Sequence, residues 1–71
     1  MKTKEKIINY VQQLRVANGN TQGELAEAVG VTRQTIIAIE KGNYTPSVLL
    51  ALKIANFFKQ PIEKIFKYER Q

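Results

Sequence analysis

GVTRQTIIAIEKG, residues 30–42, decides the fold. A glycine stands at each end of a stretch whose interior has helical spacing. Gly30 supplies the left-handed turn that stops a preceding helix, and Gly42 ends the one that follows. Thr32 offers the hydroxyl of a helix N-cap. Ile36 and Ile39 fall three residues apart on one face. The first turn, Thr32 to Thr35, contains no acid. A helix N-terminus carries partial positive charge and ordinarily prefers a carboxylate there, so this one is expected to meet an anion from outside the chain.

Working outward, helical punctuation recurs and strand-like alternation is nearly absent. Thr21-Gln22-Gly23-Glu24 has the form of a capping box, and Leu25, Ala26 and Val29 give the helix behind it an apolar face. Upstream, Ile7, Val11 and Leu14 at i, i+4 and i+7 predict a first helix ending near Asn18 and Gly19. Ile8 breaks that stripe, and KIIN (residues 6–9) can instead be a short extended piece with Asn9 as the helix cap. Downstream, Thr45-Pro46 reads as an N-cap with proline at the first helical position. The fourth helix then runs from about Pro46 to Phe58 and is apolar nearly all round, which predicts burial on most sides. Pro61 opens a short fifth helix with Ile62, Ile65 and Phe66 on one face, and residues 67–71 form a polar tail broken only by Tyr68. The expected architecture is all-α: five short helices around one core, with a glycine-containing turn between the second and third that suits a helix-turn-helix.

Residues 1–71 are expected to form a single domain with the helix-turn-helix over about 21–41. A chain this short buries only about 60% of the surface it exposes when unfolded, which leaves no room for a deep pocket beside the core. The sequence holds no Cys, His, Trp or Asp, and its six acids are all Glu. A metal site or a nucleophile–base pair would have to be built from Glu, Lys, Ser, Thr and Tyr alone, so no enzyme, cofactor or small-molecule ligand is expected. The net charge of +5 suits a polyanionic partner. No secretory signal or long apolar run is present, and a soluble cytoplasmic chain is expected.

The residues TQGELAEAVGVTRQTIIAIEKGNYTPS (21–47) resemble the phage-repressor and Cro-type helix-turn-helix family, often called the Xre family. The likeness extends from about Ile7 to Phe66. Ala26, Gly30, Val31, Ile36 and Ile39 fall together on the five structural positions of the family. The resemblance implies a compact, lambda-repressor-like domain that binds double-stranded DNA. Some small members add a two-stranded sheet between the N-terminal segment and the chain end, and Ile7-Ile8 with Phe66-Lys67-Tyr68 are the pieces that can form it here.

In such proteins the third helix enters the major groove and its N-terminal residues read base edges. The resemblance places Arg33, Gln34, Ile37 and Ala38 at that surface. Arg suits guanine O6 and N7, Gln suits adenine N6 and N7, and an Ala methyl suits thymine. It implies phosphate contacts from Gln22 at the start of the second helix, from Thr32 and Thr35, and from Lys41, Asn43 and Tyr44 after the reading helix. A basic residue is common where Asn43 stands. Gly23 replaces the usual long polar residue, and Asn20 replaces an apolar one, which is expected to loosen that corner. Glu40 lies at a helix C-terminus, where an acid is unfavourable. The family sets an Arg on the first helix against it, and Arg15 occupies the matching place, so a structural Arg15–Glu40 ion pair is expected.

One reading helix spans few base pairs, and family members usually dimerise over a palindromic operator. Leu50, Phe57, Ile62, Phe66 and Tyr68 are the candidates for a homodimer contact. The expected function is a transcriptional regulator, and in particular a repressor. The alternatives are an antitoxin that represses its own promoter and a protein-interaction module on the same fold.

Overall fold

In the computed structural model residues 5–70 are described; residues 1–4 of the basic opening and residue 71 of the tail lie outside the described residues. The elements in order are strand β1 (Glu5–Asn9), helices α1 (Val11–Ala17), α2 (Gln22–Val29), α3 (Arg33–Glu40) and α4 (Val48–Phe58), a 3-10 turn (Ile62–Lys64) and strand β2 (Phe66–Arg70).

The core draws on every helix. Val11, Leu25, Ile36, Ile39 and Ile54 are fully buried, and Ile65, after the 3-10 turn, closes the assembly. The central pair forms for the local reasons the sequence announces. The Thr21 hydroxyl accepts from the Glu24 backbone N–H at 3.0 Å, and the Glu24 carboxylate accepts from the Thr21 N–H at 2.8 Å. Gly30 ends α2 at φ 77°, a left-handed conformation that a side chain resists. The Val31 N–H returns to the Ala26 carbonyl at 3.0 Å, which fixes the angle at which α3 departs. Thr32 then caps α3, its hydroxyl accepting from the Thr35 N–H at 3.3 Å.

The architecture departs from five helices. Among the described residues there are four α-helices, a 3-10 turn and a two-stranded sheet. The helical spacing of Ile7, Val11 and Leu14 was misleading, because Ile7 belongs to a strand. β1 pairs antiparallel with β2 in the register Glu5↔Arg70, Ile7↔Tyr68 and Asn9↔Phe66. The polar tail is therefore half of a sheet. An isolated two-stranded sheet exposes much of both faces, so its strands lack the alternation that marks a half-buried one. The extended reading of KIIN holds, and the Asn9 Oδ1 accepts from the Val11 N–H at 3.2 Å to start α1, although Tyr10 sits at the cap position itself.

The other shifts lie at helix ends. Ser47, not Thr45, caps α4, accepting from the Leu50 N–H at 3.1 Å. The segment returning from Gly42 takes up the residues through Pro46, so proline precedes the cap instead of following it. The segment after Pro61 is too short to continue beyond one 3-10 turn before Phe66 joins the sheet. α4 is not covered all round: Val48, Leu49 and Leu52 are 75%, 65% and 50% exposed.

Candidate nucleic-acid interface

α3 is held from behind and at its far end. Ile36 and Ile39 lock its inner face into the core. Glu40 turns back into the protein, where Arg15 Nε donates to Oε2 at 2.7 Å and Arg15 Nη2 donates to Oε1 at 3.2 Å. The Gln22 amide donates to the same Oε1 at 3.0 Å. The guanidinium also donates to the Asn20 carbonyl at 2.9 Å, so the corner expected to be loose is tied down. Three hydrogen bonds to Glu40 offset its unfavourable place at a helix C-terminus. The Asn9 amide adds a fourth tether, donating to the Ile39 carbonyl at 2.8 Å.

The front of α3 is bare. Arg33 and Gln34 are exposed, and neither side chain has a hydrogen-bond partner among the described residues. Thr32 is exposed, whereas Thr35, Ile37 and Ala38 are half-buried at the sides of the helix. The first turn holds no acid, so its partial positive charge is uncompensated. Arg33 lines a groove with Arg15, Gly19, Asn20, Thr21, Gln22 and Gly23. The Arg33 guanidinium thus stands opposite the start of α2, whose first backbone N–H groups also favour an anion. The Gln22 side-chain amide is engaged with Glu40, and the expected anion contact at this residue rests on its backbone N–H at the start of α2.

After α3 the chain doubles back. Gly42 adopts φ 80°, its N–H bonds to the Ile39 carbonyl at 2.9 Å, and the Asn43 N–H bonds to the Ala38 carbonyl at 2.9 Å. Lys41, Asn43 and Tyr44 are exposed on this return, and Tyr44 shares a small notch with Gln34, Thr35 and Ala38. Among the expected base and phosphate groups, Arg33 shares a groove with Gln22, and Gln34, Thr35 and Ala38 share a notch with Tyr44, while Lys41 lines a groove with β1. Of the dimer candidates, Leu50 is buried, and Phe57, Ile62 and Phe66 are half-buried against the core. Tyr68 is exposed but donates to the Glu5 carboxylate at 2.8 Å, an interaction that raises its pKa above the usual tyrosine value.

Sequence reasoning missed the side-chain amides of Asn9 and Gln22 as anchors of α3. Their partners are 30 and 18 residues away in sequence, and nothing in a local pattern encodes such a bond. Among the described residues no cluster of acids or other donors can hold a metal, and no helix is long and apolar enough to cross a membrane.

Two helices joined at a left-handed glycine, the second braced behind and bare in front, define a helix-turn-helix. The chain belongs to the helix-turn-helix family HTH_3, whose model matches residues 11–65. This is a family of DNA-binding transcriptional regulators of the Xre and Cro type. The chain is 52% identical over 63 residues to the HTH-type transcriptional regulator YgzD of Bacillus subtilis, spanning 89% of this chain and 96% of that one. It is 34% identical over 55 residues to the cryptic phage CTXphi transcriptional repressor RstR of Vibrio cholerae, 78% of this chain and 50% of the repressor. Among solved structures it resembles the restriction-modification controller protein C.AhdI of Aeromonas hydrophila, with TM-score 0.72 and 28% identity over 76% of this chain and 82% of that one.

Proposed function

We propose that the chain is a homodimeric repressor that reads a palindromic operator by laying α3 in the major groove. The observation that carries this reading is the unpartnered front of α3. Arg33 and Gln34 stand exposed at a helix N-terminus without an acid, across a groove from the start of α2. An exposed Arg and Gln one residue apart can each make a bidentate base contact, and the two helix N-termini position the flanking phosphates. Lys41, Asn43 and Tyr44 extend the phosphate contacts past the far end of α3. Thr32 and Thr35 border its near end.

Beside the candidates named from the sequence, the exposed apolar face of α4 offers a contact for dimerisation. The exposed apolar residues Val48, Leu49 and Leu52 lie on α4, and Leu49 lines a groove that also touches Thr35 of α3. A two-fold axis beside this face sets two copies of α3 on the same side, as half-sites about 34 Å apart require. Repression follows from occupancy, since a dimer across a promoter excludes other proteins. The likeness to a phage repressor supports this role.

The test is selection of bound sites from random double-stranded DNA by the wild type, Arg33→Ala and Gln34→Ala. A palindromic site is expected for the wild type, and each alanine is expected to relax one or two positions at about 1–3 kcal/mol apiece. Affinity should fall steeply with added salt. A uniform loss over all sequences would make Arg33 and Gln34 phosphate ligands, and failure to select any site would favour a protein-interaction module.

A further inference from the structure

We propose that Tyr44 is a specificity-determining residue: with Ala38 and Thr35 it walls a notch that takes the C5-methyl group of a pyrimidine in the major groove. The inference rests on the DNA-reading function proposed above and names one group that is read.

The return of the chain after α3 builds the notch. The left-handed Gly42 reverses the backbone, and the bond from the Asn43 N–H to the Ala38 carbonyl holds the reversal one turn back along the helix. Tyr44 is thereby brought beside Ala38, Thr35 and Gln34, which together line the notch. A small residue at position 38 leaves space that a longer side chain would fill. The Thr35 hydroxyl is turned to the Thr32 hydroxyl at 3.1 Å, which leaves the Thr35 methyl as its free branch. Three sides are then apolar: the Ala38 methyl, the Thr35 methyl and the Tyr44 ring. The Gln34 amide is the polar rim, free to hydrogen-bond the base edge beside the methyl.

The major-groove edges of the bases offer one apolar group, the thymine methyl; the same group is present on 5-methylcytosine. A donor or an anion finds only the Gln34 rim to meet it, not the three apolar walls. A methyl does, and Tyr44, 46% exposed in the free protein, is the side of the notch with most surface left to bury against it. Tyr44 was expected only as a phosphate ligand. In this assignment its ring reads a base and its hydroxyl is left for the backbone.

The experiment uses the tightest site from the random-DNA selection. Each thymine is replaced in turn by uracil, and each cytosine by 5-methylcytosine, with binding measured for the wild type, Tyr44→Phe and Tyr44→Ala. If thymine is the source, uracil weakens wild-type binding about fourfold at one position per half-site, the effect of one methyl returned to water. If 5-methylcytosine is the source, its introduction strengthens binding by a similar factor. Tyr44→Phe keeps the discrimination and Tyr44→Ala brings the ratio close to one. Thermal unfolding of both variants verifies that they are folded. Should no position discriminate, or should Tyr44→Ala discriminate as well as the wild type, the notch does not read a methyl, although the DNA-reading function stands. Should the wild type select no site at all, both fall together.

Discussion

Glu40→Gln removes a charge from the inner end of the reading helix without changing the size of the side chain. The Glu40 side chain is 4% exposed and its Arg15 partner 11% exposed, so water cannot replace what is lost. The carboxylate accepts three hydrogen bonds, two from Arg15 and one from Gln22. A glutamine keeps one acceptor oxygen and turns an NH2 group toward a donor. Breaking a buried ion pair by removing one partner costs about 3–5 kcal/mol. Arg15 retains its bond to the Asn20 carbonyl, so we expect about 2–4 kcal/mol. A domain of this length has about 4–11 kcal/mol in total. The substitution therefore takes away a large share, and at about 4–8 °C per kcal/mol the midpoint of thermal unfolding falls by about 8–32 °C. The assay is urea unfolding followed by circular dichroism. The midpoint should drop while the slope stays constant, and the drop should persist at high salt because the pair is shielded. Adding Arg15→Met to Glu40→Leu should restore most of the loss, since an apolar pair of similar volume needs no charge compensation. An unchanged urea midpoint for Glu40→Gln would refute the claim that this pair holds α3 in place.

Two backbone substitutions test the helix ends. Gly23 lies inside α2, where a Cβ would meet only the Thr21 hydroxyl at 3.9 Å, so Gly23→Ala should stabilise the fold by about 0.5–1 kcal/mol in the same urea assay. Lys59 ends α4 at φ 56°, a conformation costly for any residue with a Cβ, and Lys59→Gly should stabilise by about 0.5–1 kcal/mol. Leu52→Lys places a charge on the exposed face of α4; sedimentation should show dimer lost with the thermal midpoint nearly unchanged, and a dimer that survives places the interface elsewhere. Tyr68 should ionise above the usual tyrosine value, because its hydrogen bond to Glu5 stabilises the neutral phenol. A folded-state pKa raised above the unfolded value means that the clasp stabilises the sheet below the ordinary tyrosine range and is lost as pH rises through the raised value. The phenolate absorbance difference between the parent and Tyr68→Phe should place this step above the usual tyrosine value.

The helix-turn-helix was readable because its determinants are local. The capping box at Thr21, the left-handed Gly30 and the cap at Thr32 each act within four residues, and each stands where the spacing predicts. The Arg15–Glu40 contact is not local, and a family resemblance supplied it. The sheet was legible only through the resemblance, which named Ile7-Ile8 and Phe66-Lys67-Tyr68 as its pieces. Ile7 satisfies a helical stripe with Val11 and Leu14, yet what decides its state is a partner strand near the other end of the sequence. The apolar composition of α4 was misleading in another way. Composition counts side chains, whereas burial depends on which neighbours exist, and no described element covers Val48, Leu49 and Leu52. On the DNA-facing side, residue types pointed to base and phosphate chemistry, but the placement of Tyr44 over Ala38 depends on a backbone reversal and two carbonyl bonds after α3.

The sheet also fixes an order of events during synthesis. β1 precedes every helix and β2 follows them all, with Glu5 opposite Arg70. α2, α3 and α4 contact one another over short sequence distances and can assemble while the chain is still being made. β1 has no partner until Phe66–Arg70 has left the ribosome, and its ladder closes the longest loop in the fold, so it forms last. A nascent chain therefore holds a helix-turn-helix before it holds the strand pair that, through Asn9, grips the inner end of the reading helix.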